Sequence, residues 1–213
     1  MTKKEFSLFE SGVVAIVRLD DYAAANEIVG ALIEGGVDAV EFTYTNPAAG
    51  EAIASARKTF PTEIAVGAGT VLDPETARAA ILLGAQFIVT PAFNPATIQL
   101  CTRYAVPSVI GAFTPTEILN AWQAGATYVK VFPASSVGSR YLKDVLGPLP
   151  QIRLIPTGGV TVENAGDFIR AGASGIAAGS NLVDLKTVNA QDWSTITARA
   201  QAYVEAVASA RAS

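Results

Sequence analysis

The sequence predicts an α/β fold, a (β/α)8 or TIM barrel formed as one domain over residues 1–213. Three observations predict it. Short apolar runs recur along the chain with their starts 20 to 26 residues apart. These runs are continuous rather than alternating, as strands buried on both faces must be. The segments between them carry helical patterns bounded by proline and glycine, with no linker, low-complexity tract or composition shift to mark a second domain. Eight strands alternating with eight helices in 213 residues match a barrel near the small end of its size range. The alternative, a doubly wound open sheet, needs a reversal of strand order, and no odd crossover length or dinucleotide fingerprint marks one.

The predicted strands are Val13–Arg18, Ala39–Tyr44, Ile64–Thr70, Phe87–Ala92, Ser108–Ala112, Tyr128–Pro133, Arg153–Thr157 and Gly175–Ser180. Most are rich in β-branched and aromatic residues, which fit a pleated, buried surface. The predicted helices are Tyr22–Glu34, Ala48–Thr59, Pro74–Leu83, Pro95–Tyr104, Pro115–Ala124, Ser139–Val145, Val162–Ala171 and a final Asp192–Ala210. Asp73-Pro74, Asn94-Pro95 and Thr114-Pro115 each set a capping side chain before a first-turn proline. Glycines at 35, 84, 125 and 172 sit where helices should stop. A weak repeat follows, in Leu83-Gly84-Ala85, Ala124-Gly125-Ala126 and Ala171-Gly172-Ala173.

Composition narrows the function. Half the residues are hydrophobic, 16% are charged and the net charge is −4, which argues against disorder and against a nucleic-acid binder. The N-terminal stretch Thr2–Phe6 is basic, but Glu5 and Glu10 interrupt the apolar run that a signal peptide needs, and no run reaches the length of a membrane span. The single cysteine, Cys101, cannot form an intrachain disulfide, so a cytoplasmic protein without membrane or nucleic-acid partners is expected. Histidine is absent, which removes the commonest general base and most zinc sites. No metal and no cofactor is expected.

Ionisable residues inside buried strands are costly unless they are paired or used. The predicted strands contain four: Arg18, Glu41, Lys130 and Arg153. Arg153 starts strand 7, at the face of a barrel concerned with stability, and reads as a structural arginine. Arg18, Glu41 and Lys130 fall toward the C-terminal half, where active sites of this fold sit. A buried ion pair of Glu41 with Lys130 or Arg18 explains them equally well at this point. Lys130 is the only lysine within a predicted strand, flanked by Val129, Val131 and Phe132. Desolvation there favours the neutral amine, a nucleophile toward carbonyl carbon, and Glu41 is placed to carry protons.

Strand 7 runs into Pro156-Thr157-Gly158-Gly159-Val160 and strand 8 into Ala178-Gly179-Ser180-Asn181. Glycine turns after these two strands, with a short helix N-terminus, form the phosphate site frequent in this fold. Gly67-Ala68-Gly69-Thr70 leaves strand 3, and its glycines either let a ligand approach the backbone or turn a corner. Tyr44, Trp122, Trp193 and Cys101 read as packing or interface residues.

Together these motifs resemble the 2-keto-3-deoxy-6-phosphogluconate (KDPG) aldolase family, which includes 2-keto-3-deoxy-6-phosphogalactonate and 4-hydroxy-2-oxoglutarate aldolases. The resemblance rests on Glu41–Thr45, Gly67–Leu72, Val89–Pro91, Val129–Pro133, Pro156–Val160 and Gly179-Ser180, in order, and covers about residues 7–185. It implies metal-free, class I aldol cleavage of a keto-acid sugar phosphate to pyruvate and glyceraldehyde 3-phosphate. Lys130 matches the Schiff-base lysine and Glu41 the carboxylate that shuttles protons through water. Thr70 and Pro91 match residues lining the pyruvate pocket, Phe132 an aromatic beside the imine, and Gly158, Gly159, Gly179 and Ser180, with Thr157 in the same turn, the substrate-phosphate turns. Many members carry an arginine where this chain has Thr45, and some carry one at the end of strand 1 instead, so carboxylate binding falls to Arg18. Family members are commonly homotrimers. The rivals are a barrel isomerase or epimerase, a metal-dependent aldolase, and a non-catalytic sugar-phosphate-binding or scaffold barrel.

Overall fold

Parallel neighbours require crossover connections of a dozen or more residues, and the spacing of the apolar runs supplies them. The computed structural model describes residues 9–212; Thr2–Phe6, with Lys3 and Lys4, lie outside the described residues. Among the described residues eight strands alternate with helices: β1 (Val13–Val17), α1 (Ala25–Glu34), β2 (Ala39–Thr43), α2 (Ala49–Thr59), β3 (Ala65–Gly69), α3 (Pro74–Leu82), β4 (Ile88–Val89) and α4 (Pro95–Arg103). There follow β5 (Ser108–Ala112), α5 (Pro115–Gln123), β6 (Tyr128–Val131), a 3-10 turn (Ala134–Ser136), α6 (Gly138–Leu146), β7 (Leu154–Pro156), α7 (Val162–Arg170), β8 (Ile176–Ala178), α8 (Leu185–Asn189) and α9 (Trp193–Arg211). No helix among the described residues is long and apolar enough to cross a membrane.

All strand pairs are parallel, in the order β7-β6-β5-β4-β3-β2-β1-β8, with no crossover reversal. The two ends of this order meet through a parallel bridge, Thr157 with Ala177, and through the Ser174 amide, which donates to Leu154 O at 2.9 Å, so the barrel is nearly closed. This excludes the doubly wound alternative.

Register decides which side chains enter the barrel. Ile16 lies opposite Glu41, Glu41 opposite Gly67, Gly111 opposite Lys130 and Lys130 opposite Ile155. Because side chains alternate along a strand, these residues share the interior face. The interior apolar cluster has the same parity, with Val14, Ile16, Phe87, Val89, Val109, Tyr128 and Ile155. Phe9 seals the N-terminal mouth, its ring 5.9 Å from Phe87 and 5.3 Å from Tyr128. Residues of the opposite parity, such as Val40, Phe42, Val66, Val129 and Val131, pack outward in the larger cluster that joins sheet to helices.

The punctuation works as predicted. Asp73 accepts from the Thr76 amide, Asn94 from the Ala96 and Thr97 amides, and Thr114 forms a capping box with Glu117, each before a first-turn proline. Gly84, Gly125 and Gly172 adopt left-handed φ near +100° at their helix ends, whereas Gly35 does not (φ −81°). Differences from expectation are local. Helix α1 starts three residues late, after a turn in which Asp21 accepts from the Ala23 amide and the buried Tyr22 hydroxyl reaches the Val17 and Thr43 carbonyls. Strand β4 is two residues long: the Thr90 amide still donates to Val109 O, but the Gly111 amide goes to the Thr90 hydroxyl, which itself donates to Ala92 O, and the ladder ends there. Arg153 precedes β7, with its guanidinium 5.0 Å from the Tyr128 ring centre and 5.6 Å from that of Trp122, in keeping with a structural role.

Candidate active site

Strand β6 carries Lys130 and β2 carries Glu41, both into the barrel core, where they are 4% and 1% exposed. Neither group is held in a direct ion pair: among the described residues none involves either of them, and the Glu41 Oε1 atom is buried without a hydrogen bond. A buried pair retained for structure alone would be in contact and fully hydrogen-bonded. The ion-pair explanation therefore loses its geometry.

Burial raises the Glu41 carboxyl above its ordinary range, and the charges of Lys130 and Arg18 pull it only partly back. Burial lowers the Lys130 amine; Glu41 opposes this shift and Arg18 adds to it. One group is pushed toward holding a proton and the other toward releasing one, as acid–base and nucleophilic chemistry near neutral pH require. The Lys130 amine also sits 5.3 Å from the centre of the Phe132 ring.

Room for the carboxylate comes from β3. A Cβ at Gly69 would stand 2.7 Å from Glu41 Oε1, and one at Gly67 would meet the Phe87 ring at 2.5 Å. These glycines make space for interior side chains, a role that the sequence reading of Gly67–Thr70 did not include.

Lys130 opens into a cavity of about 330 Å³ that is also lined by Arg18, Phe132, Thr157, Gly158, Gly159, Gly179 and Ser180. Eight of the eleven predicted site residues thus meet in one cavity. Glu41 lies deeper and is linked to it through Lys130, while Thr70 and Pro91 do not line it. Thr70 holds a left-handed φ of +56°, and the Pro91 backbone packs against Gly111. Arg18 follows the last residue of β1 and is exposed, so it is no buried strand charge; it stands at the rim, without an ion pair among the described residues.

The cavity's other wall is backbone. Gly158 and Gly159 take successive left-handed φ values of +88° and +72°, a conformation costly for any side chain but glycine. Successive amides in such a turn form a concave anion receptor. Among the described residues the Gly159 and Ser180 amides donate to no protein acceptor. Sequence reasoning missed Ile16, Val160, Val183, Asp184 and Leu185, which also line the cavity, and gave Asn181 no role. Asp184 caps α8, accepts from Thr187 and meets Arg199 at 2.6 Å; these bonds hold its carboxyl well below the usual carboxylate range. The five residues of α8 are too few for periodicity to reveal. Cys101 is buried on α4, and burial pushes its thiol up to about 11, an inert packing group. Tyr44, Trp122 and Trp193 are half-buried and pack against the core.

Known proteins resemble this chain over most of its length. Residues 5–199 match the family model described as KDPG and KHG aldolase. The 2-dehydro-3-deoxy-6-phosphogalactonate aldolase of Escherichia coli K12 is 38% identical over 173 residues, 80% of this chain and 83% of that protein. The 2-dehydro-3-deoxy-phosphogluconate aldolase of Treponema pallidum is 35% identical over 196 residues, covering 92% and 93% of the two chains. A solved structure described as native KDPGal superposes with a TM-score of 0.88 at 34% identity, over 94% of this chain and 96% of that one. The KDPG aldolase of Legionella pneumophila, solved with pyruvate captured as a covalent carbinolamine, has a TM-score of 0.84 at 26% identity, over 90% and 93%.

Proposed function

The chain belongs to the KDPG and KHG aldolase family, class I carbon–carbon lyases, and from that premise we propose that it cleaves 2-keto-3-deoxy-6-phosphogluconate to pyruvate and glyceraldehyde 3-phosphate. The observation that carries this reading is the unpaired, buried Lys130 amine facing a cavity whose far wall is built of glycine amides.

The chemistry follows from these positions. The neutral Lys130 amine attacks the C2 ketone to give a carbinolamine, and loss of water gives a protonated imine. Arg18 at the rim takes the substrate carboxylate, and the turns at Thr157–Gly159 and Gly179-Ser180 take the phosphate. Glu41, acting through water, removes the C4 hydroxyl proton; the C3–C4 electron pair flows to the iminium nitrogen and glyceraldehyde 3-phosphate leaves. The enamine is reprotonated at C3, and hydrolysis of the imine returns Lys130 and frees pyruvate. Positioning and the iminium electron sink supply the rate. Phe132 flanks the imine, and Thr70 and Pro91 keep the roles the resemblance gives them, beside the pyruvate portion of the substrate.

A second reading is the C4 epimer, the phosphogalactonate-type acid, favoured by the 38% identity to an aldolase of that name. Pyruvate release from both phosphorylated acids and from 4-hydroxy-2-oxoglutarate separates the readings by their kcat/KM ratios. Borohydride reduction in the presence of pyruvate tests the covalent step. One adduct per chain is expected, on the peptide containing Tyr128-Val129-Lys130-Val131, and none in Lys130→Ala. A pyruvate-dependent adduct on another lysine overturns the assignment. A single-domain, cytoplasmic homotrimer is the proposed assembly, which would cover exposed apolar side chains such as Leu72 and Leu82; sedimentation measures it.

A further inference from the structure

Four consecutive carbonyls after β7 are tied back to donors. Thr157 O accepts from the Ala134 amide at 2.8 Å and Gly158 O from the Ser135 amide at 2.9 Å. Gly159 O accepts from Asn164 Nδ2 at 3.0 Å. Val160 O accepts twice, from the Tyr203 hydroxyl at 3.0 Å and from Asn181 Nδ2 at 3.0 Å. Ala134, Ser135, Asn164 and Tyr203 all lie outside the cavity lining. With its carbonyls engaged from behind, the turn is left to present amides, and an amide concavity takes an anion where exposed carbonyls would repel it.

Tyr203 differs from the other donors. It belongs to α9, 43 residues beyond Val160, and is 1% exposed. A buried tyrosine hydroxyl ordinarily finds some partner. Here its partner is the carbonyl that Asn181 also reaches from the β8 turn, so both halves of the amide wall are joined at one atom and braced from the outer helix layer. Burial pushes the Tyr203 phenol up to about 12, with Glu163 adding to the shift and Arg199 opposing it, so the hydroxyl stays a donor at working pH.

We infer that Tyr203 is a positioning residue for the substrate's phosphoryl group: with Asn181 it holds the Val160 carbonyl engaged, so that the Gly159 and Ser180 amides receive the anion. This rests on the reading that the turns after β7 and β8 bind phosphate. Tyr203→Phe keeps the ring and removes the donor. Its KM for the phosphorylated acid is expected to rise about 3- to 10-fold relative to its KM for 4-hydroxy-2-oxoglutarate, the scale of one net hydrogen bond, with kcat within about twofold. The inhibition constant of inorganic phosphate should rise by the same factor. Tyr203→Leu also removes the donor and keeps an apolar side chain in the core, so it should move the same ratio in the same direction and decides the matter if Tyr203→Phe does not fold. Equal KM changes on both substrates, or none, overturn the role of Tyr203. Wild-type protein that is neither inhibited by inorganic phosphate nor selective for phosphorylated acids defeats the phosphate reading, and this inference with it.

Discussion

Replacing Gly69 by alanine should slow catalysis without touching any reacting group. Gly69 ends β3, its φ lies outside the left-handed region, and nothing in its backbone opposes a side chain. The added Cβ would lie 2.7 Å from Glu41 Oε1 and 2.8 Å from its Cδ, where ordinary contact begins near 3.4 Å. The carboxylate must therefore retreat by about 0.7 Å within a site where Glu41 is 1% exposed. Misplacing a catalytic group by ~1 Å costs about 100-fold, so kcat should fall about 10- to 100-fold. Overpacking of this kind lowers stability by about 1–3 kcal/mol, which leaves a folded protein. Coupled measurement of pyruvate release gives kcat, thermal melting gives stability, and borohydride trapping shows that Lys130 still forms its adduct. Turnover within about threefold of wild type in a folded variant would refute the claim that Glu41 must stand where the structure puts it. Loss of trapping would refute it differently, by shifting the damage to Lys130.

Other outcomes follow from the same geometry. Glu41→Gln should keep the fold and lower turnover by about 10²–10⁴-fold, the range for a positioned acid–base, and near-normal steady-state kinetics would return Glu41 to packing. Gly159→Asp puts a side chain at φ +72°, against Ser135 Cβ at 2.5 Å, and a negative charge beside amides meant for an anion, so KM should rise far more for phosphorylated than for unphosphorylated acids. Equal losses would make the turn architectural. Adduct formation with pyruvate should rise with pH through a midpoint below lysine's ordinary 10.5, because burial favours the neutral amine. Glu41 opposes that depression and Arg18 adds to it, so Glu41→Gln should move the midpoint down and Arg18→Gln should move it up. Shifts of the opposite sign, read from trapping rates across pH, would contradict the assigned electrostatics.

Short-range signals made the architecture legible in the sequence. Continuous apolar runs at regular spacing, capping side chains before prolines and glycines at helix ends are local, and they located each of the eight strands to within a few residues. A charge inside an apolar run is also a local anomaly, which is why Lys130 and Glu41 stood out unaided. The glycine turns after strands 7 and 8 were visible because left-handed backbone demands glycine, although only Gly158 and Gly159, and not Gly179, show that conformation. Helix α8 escaped because five residues hold little more than one turn, and Tyr203 because an aromatic on an amphipathic helix reads as core.

What the tertiary structure alone decided is which groups meet and which do not. Lys130 and Glu41 are 89 residues apart in the chain, and their charges admitted an ion pair until the barrel placed them on one interior face, electrostatically coupled but without a direct ion pair. The same sheet put Gly69, opposite Thr43, beside the Glu41 carboxylate and left Thr70 and Pro91 off the cavity lining, although all came from equally plausible motifs. Arg18 became a rim cation because β1 ends one residue earlier than its apolar run suggests. The physical reason is common to these cases. Hydrophobic period and turn chemistry act over a few residues and are written in the chain, whereas burial, electrostatic coupling and the engagement of the Val160 carbonyl depend on distances set only when the sheet closes on itself.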